Sequence, residues 1–276
     1  MTYRLIHYFI RIFYRHLRIP KKLIYNTARG LIRFLPKRFD ENNIIQPSHT
    51  KSIIKIPKDL GYLQFSSQQA PELNQVAQDC TKLFNAKYKQ YDNNYFISNP
   101  NKRFLLTIDA DENLLKLPSI HNLITSDYIH HALSDYFTCP YTLSTIRLWW
   151  SSANDTSINS QLYHLDEEDL SQVKLLININ NITEEHGPFT FLNAITSDKI
   201  ISNFRVGKKK FLDEEVSVAA NKSAITKLIG PSGSAAFVDT SRCLHYGSRG
   251  NKHDRLLLMT QFLKADAPLL QQSLAL

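Results

Sequence analysis

The second half of the chain is a succession of eight short β-type segments, and this feature constrains the fold more than any other. They are Thr142 to Trp150, Gln161 to Leu165, Val173 to Asn180, Pro188 to Asn193, Ala224 to Ile229, Gly233 to Asp239, Arg242 to Tyr246 and Arg255 to Leu263. Gly187-Pro188 and Gly230-Pro231-Ser232-Gly233 punctuate them as turns. Short strands at this spacing predict a closed or two-sheet antiparallel β structure. Side chains alternate across a strand, so Leu175, Ile177 and Ile179 give one apolar face, and Lys174, Leu176, Asn178 and Asn180 give a more polar one. The first face belongs in a core, and the second has something to bind.

A chain of 276 residues, 43% hydrophobic and 21% charged, is long enough to bury a substantial core, and its 13 Tyr and 15 Phe supply bulky apolar groups for packed β structure. Eight Gly and eleven Pro exclude a low-complexity or collagen-like protein. Three cysteines, an odd number without regular spacing, point to a reducing, cytoplasmic setting rather than a disulfide-stapled secreted domain. Residues 40 to 140 read as mixed structure. A helix is expected over Leu73 to Phe84, a second helical segment over residues 120 to 137, and loops or helix ends in the polar stretches 66 to 78 and 92 to 101. The adjacent His130 and His131 point about 100° apart on such a helix and are expected to be surface groups.

The net charge of +8 is concentrated at the N-terminus. Residues 1 to 38 carry ten Lys or Arg and no Asp or Glu, so the body is nearly neutral and offers no continuous footprint for nucleic acid. Leu5, Phe9, Phe13 and Leu17 recur every four residues, with Arg4, Arg11, Arg15 and Arg18 on another face. Pro20 then opens a second amphipathic stretch with Ile24, Ala28, Leu31, Ile32 and Leu35. This arm, residues 1 to 39, suits three structures: helices packed on the body, a peripheral membrane-surface anchor, or a presequence. No uninterrupted apolar stretch is long enough to span a bilayer, and arginines break every candidate signal-peptide core. Residues 40 to 276 are then the catalytic body.

The chemistry lies on the strands. His164 and Asp166 form His-x-Asp, a two-residue step that turns an imidazole and a carboxylate to one face of a strand. His245 lies on a later strand, and Arg255 follows at the head of the last. Two histidines and one carboxylate on one side of an octahedron leave three positions open, the facial arrangement of non-haem iron(II) oxygenases. A guanidinium beside such a metal is suited to grip the distal carboxylate of a chelating oxo acid. The same three ligands also suit zinc in a hydrolytic or isomerising enzyme, which has no need of Arg255, and a non-catalytic cupin-like module would be expected to lose a ligand.

At these residues the sequence resembles the iron(II)/2-oxoglutarate dioxygenases, and more narrowly the phytanoyl-CoA hydroxylase family, over about residues 142 to 264. The matching motifs are Gln161-Leu162-Tyr163-His164-Leu165-Asp166, Lys174, Glu185-His186-Gly187-Pro188-Phe189-Thr190, Gly233-Ser234-Ala235-Ala236-Phe237-Val238-Asp239, and His245 with Arg255. The resemblance implies a double-stranded β-helix, a jelly-roll, cupin-like barrel with flanking helices and a metal in its mouth. It implies iron(II) on His164, Asp166 and His245, 2-oxoglutarate anchored by Arg255 with Lys174 near it, and dioxygen as oxidant. The implied reaction hydroxylates a small-molecule or lipid-type substrate with release of succinate and CO2. The carboxylate at Asp166 favours hydroxylation, because related halogenases leave that position open for halide. Where many members of the family read Pro-Gly-Ser-His, this chain has Asn193-Ala194-Ile195-Thr196-Ser197, so phytanoyl-CoA itself is not implied as substrate. Cys243 is expected to be a small core residue, His186 and His253 surface groups, and Tyr163 and Trp149 core or pocket-wall aromatics.

Overall fold

A computed structural model describes residues 44–47, 54–87, 104–166, 168, 171–204, 208–218 and 220–264. The basic arm and the polar stretch 92 to 101 lie outside the described residues.

All eight expected strands form, shifted by a few residues at their ends. They are β3 (Tyr141–Ser151), β4 (Tyr163–His164), β5 (Gln172–Asn178), β6 (Thr190–Leu192), β8 (Ile225–Lys227), β9 (Ala235–Val238), β10 (His245–Tyr246) and β11 (Arg255–Lys264). Three further strands join them: β1 (Tyr62–Phe65), β2 (Leu106–Ala110) and β7 (Lys210–Phe211). They build two antiparallel sheets, a six-stranded one in the order β1-β9-β5-β11-β3-β2 and a five-stranded one in the order β7-β4-β10-β6-β8. From β3 to β6 and again from β8 to β11 successive strands alternate between the sheets, with β6 and β8 paired within the smaller one, which is the winding of a double-stranded β-helix.

Three apolar layers hold this arrangement. The alternation in β5 sends Leu175 and Ile177 to the outer face of the larger sheet, beneath helices α1 (Glu72–Lys87), α3 (Pro118–Ile124) and α4 (Asp127–Phe137). Leu176, its neighbour in the opposite direction, joins Ala236, Val238, Leu257, Met259 and Phe191 between the sheets. The outer face of the smaller sheet is covered by α5 (Ala194–Ser202), through Ile200 and Ile201, and by α6 (Asp213–Ser217), through Val216. A short helix, α2 (Asp111–Leu115), follows β2 and buries Leu114 in the first layer.

The helices differ from expectation at their punctuation. The segment over 120 to 137 is two helices, because Ser126 leaves the helical conformation and its hydroxyl accepts the Ile129 N–H as the N-cap of α4. Helix α1 begins at Glu72, inside the stretch expected to be loops or helix ends, and buries Leu73, Val76, Ala77 and Cys80. His130 and His131 are half-buried rather than superficial, and His130 Nδ1 lies 2.8 Å from the Tyr141 hydroxyl. Helix α5 occupies the Asn193 to Ser197 departure, with Asn193 accepting the Thr196 N–H at 2.8 Å as its N-cap. No helix among the described residues is long and apolar enough to cross a membrane.

Candidate metal centre

His164 and His245 are 81 positions apart in the chain, yet they face each other directly in the β4–β10 register, with ring centroids 4.4 Å apart. Asp166 lies two residues beyond the end of β4. Its backbone N–H donates to the Thr240 carbonyl at 3.0 Å, which ties it to the loop leading into β10. His164, Asp166 and His245 offer one ligand atom each, all within 4.8 Å of one another.

Backbone carbonyls set the orientation of both imidazoles. His164 Nδ1 lies 2.8 Å from the Leu162 carbonyl, and His245 Nδ1 lies 2.9 Å from the Cys243 carbonyl. A carbonyl only accepts, so Nδ1 carries the proton in each ring and Nε2 is left to coordinate. These Nε2 atoms lie 3.7 Å and 3.6 Å from the Asp166 carboxylate. Burial, followed by the neighbouring His245, pulls the His164 pKa down to about 4, so that ring is neutral at physiological pH. Burial opposes ionisation of Asp166, but the Lys174 ammonium beside it outweighs burial and holds the carboxyl well below its ordinary range. An outward-facing lone pair and an ionised carboxylate thus converge on one point, the donor set of a divalent cation site.

The structure places Lys174 against this centre, with Nζ 2.7 Å from Asp166 Oδ2 and both side chains 11% exposed. Arg255 lies farther along the same wall of the barrel. It is 2% exposed and donates from Nη1 to the Gly187 carbonyl at 3.2 Å, with Nη2 3.5 Å from Ser151 Oγ. Its Nε has no acceptor, and no carboxylate pairs with it among the described residues. Burial lowers its pKa to about 10, so it stays cationic at neutral pH. A buried cation with an orphaned N–H is costly unless an anion completes it, and a planar carboxylate fits its fork.

The other candidates do not join the metal set. Cys243 is fully buried, with Sγ near the Leu60 and Gly61 carbonyls. His253 is exposed and 3.6 Å from Glu185, while His186 is half-buried and bonds Thr183. Tyr163 is core, and Trp149 is a half-buried wall residue packed on the cluster between the sheets. Sequence reasoning missed three supports. The Ser197 hydroxyl accepts the Leu244 N–H at 2.8 Å, beside His245. The Thr240 carbonyl holds Asp166. Gly187, at φ 58°, presents its carbonyl to Arg255. Of these, only Gly187 carries a local signal, a Gly-Pro turn.

No protein-family profile and no curated protein sequence matches this chain. Solved structures do. EctD from S. alaskensis with bound Fe superposes with a TM-score of 0.56 at 12% identity, covering 86% of this chain and 85% of that one. AviO1 from Streptomyces viridochromogenes gives 0.50 at 12% identity, covering 76% and 93%. At this identity the likeness is one of architecture, and the chain has the double-stranded β-helix fold that these proteins share.

Proposed function

We propose that this protein is an iron(II)/2-oxoglutarate-dependent dioxygenase, of the general kind represented by the phytanoyl-CoA hydroxylases, that hydroxylates an unactivated C–H bond of a small-molecule, lipid or lipid-linked substrate. One observation carries the reading: a His-Asp-His donor set and a buried guanidinium with no carboxylate partner among the described residues occupy the inside of one barrel. A zinc hydrolase on the same triad has no use for the second feature.

His164, Asp166 and His245 would hold the iron, which supplies dioxygen activation coupled to decarboxylation of 2-oxoglutarate, one oxygen atom entering succinate and the other the substrate as C–OH. Arg255 binds the 5-carboxylate of the co-substrate, where the Gly187 carbonyl and Ser151 fix its fork. Lys174 neutralises the Asp166 oxygen it touches and stands beside the metal-proximal end of the co-substrate. The apolar lining of Leu176, Leu257, Met259 and Phe191 excludes water from the C–H bond to be oxidised. The arm of residues 1 to 38 is proposed to hold this otherwise cytoplasmic enzyme at an anionic membrane surface, which would suit a lipid-type substrate.

The test is anaerobic addition of iron(II) and then 2-oxoglutarate, read by the visible charge-transfer absorbance of the chelate. Wild type is expected to develop the band. Arg255→Lys should retain iron but weaken 2-oxoglutarate binding about tenfold, since a point charge cannot reproduce two parallel hydrogen bonds. Iron binding without any response to 2-oxoglutarate would overturn the proposal.

A further inference from the structure

We infer that the substrate carries an oxyanion, a carboxylate or phosphate group, and that Arg147 binds it; this deepens the dioxygenase reading and rests on it. The alternation of β3 places Arg147. Ile146, Leu148 and Trp150 enter the helix-covered core, so Arg147, Trp149 and Ser151 face the other way, into the barrel. In the sheet Arg147 pairs with Met259, which pairs in turn with Leu176, and both of these line the interior.

Three cations therefore share this wall. Lys174 is occupied by Asp166, and Arg255 is sealed inside. Arg147 is half-buried, and its guanidinium has no hydrogen-bond or ion-pair partner among the described residues. Along β11 its partner Met259 is four residues from Arg255, about 13 Å at a strand rise of 3.3 Å per residue. The two guanidinium groups thus address separate positions on the wall.

Iron and the three cations together would outweigh the Asp166 carboxylate and the 2-oxoglutarate dianion, so this wall of the cavity is net positive. A walled cleft of one sign concentrates ligands of the other. The guanidinium offers an oxyanion a two-pronged site, and the adjacent Trp149 indole supplies an apolar wall for the carbon skeleton attached to it.

The test separates extract of the producing cells by anion exchange at neutral pH into retained and unretained pools. Each pool is incubated in air with enzyme, iron(II) and 2-oxoglutarate, and products are sought by mass as a gain of one oxygen. The product is expected from the retained pool. Arg147→Gln should cut its formation at least tenfold at limiting extract, and Arg147→Lys should restore part of it. Both variants should still give the anaerobic charge-transfer band with an unchanged Kd for 2-oxoglutarate, which also shows that they fold. A product arising only from the unretained pool, or formed equally well by Arg147→Gln, overturns the inference and leaves the dioxygenase reading intact. A tenfold weaker Kd for 2-oxoglutarate in Arg147→Gln overturns it too, by assigning the arginine to the co-substrate. If wild type itself gives no band, the underlying reading falls first.

Discussion

Replacing Asp166 by Asn in the metal-free protein leaves Lys174 as a buried cation without its counter-charge. The two atoms are 2.7 Å apart and both side chains are 11% exposed. At an effective dielectric of about 20, a gross attraction of about 6 kcal/mol follows from Coulomb's law. Desolvation offsets much of that, and breaking a buried pair by removing one partner costs about 3–5 kcal/mol. Residual solvent contact favours the lower end, so Asp166→Asn should destabilise by about 3 kcal/mol and lower Tm by about 6–9 °C in a domain of this size. Lys174→Met in the same background should recover most of the loss, giving a coupling of about 2–3 kcal/mol in a double-mutant cycle. Urea unfolding of wild type, both single variants and the double variant in a chelator measures all four corners. A coupling below about 0.5 kcal/mol would refute the view that this pair is tightly engaged before metal arrives.

Three further outcomes are expected. The low pKa of His164 means that the unfolded chain takes up its proton first as pH falls below about 6.5, so stability must decline with acidification. The loss is about 2–3 kcal/mol between pH 7.5 and 4.5, with Asp166 adding to it at still lower pH. The urea midpoint of His164→Gln should lose that part of the pH slope, and an unaltered slope would contradict the assignment. Gly187→Ala places a Cβ 2.8 Å from Ser248 Oγ and 2.9 Å from Asn251 Cβ at a φ of 58°. It should destabilise by about 2–3 kcal/mol and weaken 2-oxoglutarate binding through Arg255, read by the charge-transfer titration. The full chain should sediment with anionic vesicles at low salt and release as salt rises, at about 1 kcal/mol per engaged cation. A chain starting at residue 40 should stay folded and remain in the supernatant; indifference of the full chain, or precipitation of the shorter one, would make the arm a packed structural element.

The sequence by itself determined the parts of this protein that depend on near neighbours. Alternation at 174 to 180 assigns both faces of β5, because a strand's pleat is set by its own backbone. Gly-Pro turns bound the strands for the same reason, whereas the two-residue step expected to put His164 and Asp166 on one strand face stops short, because β4 ends at His164 and the Thr240 carbonyl holds Asp166 beyond it. The sequence also supplied the set His164, Asp166, His245 and Arg255, through motif and order. Local pattern could not reveal β1 and β2, whose burial depends on the sheet they join, or the break at Ser126, where a hydroxyl competes for a helical N–H. Tertiary structure alone decided that His164 faces His245 across 81 positions, since strand pairing is non-local. It also decided that Lys174 spans the barrel to Asp166, that Ser197 and Thr240 brace the ligand strands, and that Arg255 is buried with no carboxylate partner among the described residues. Burial and charge at a site are set by what lies across the cavity, and in a barrel those groups come from strands distant in the chain.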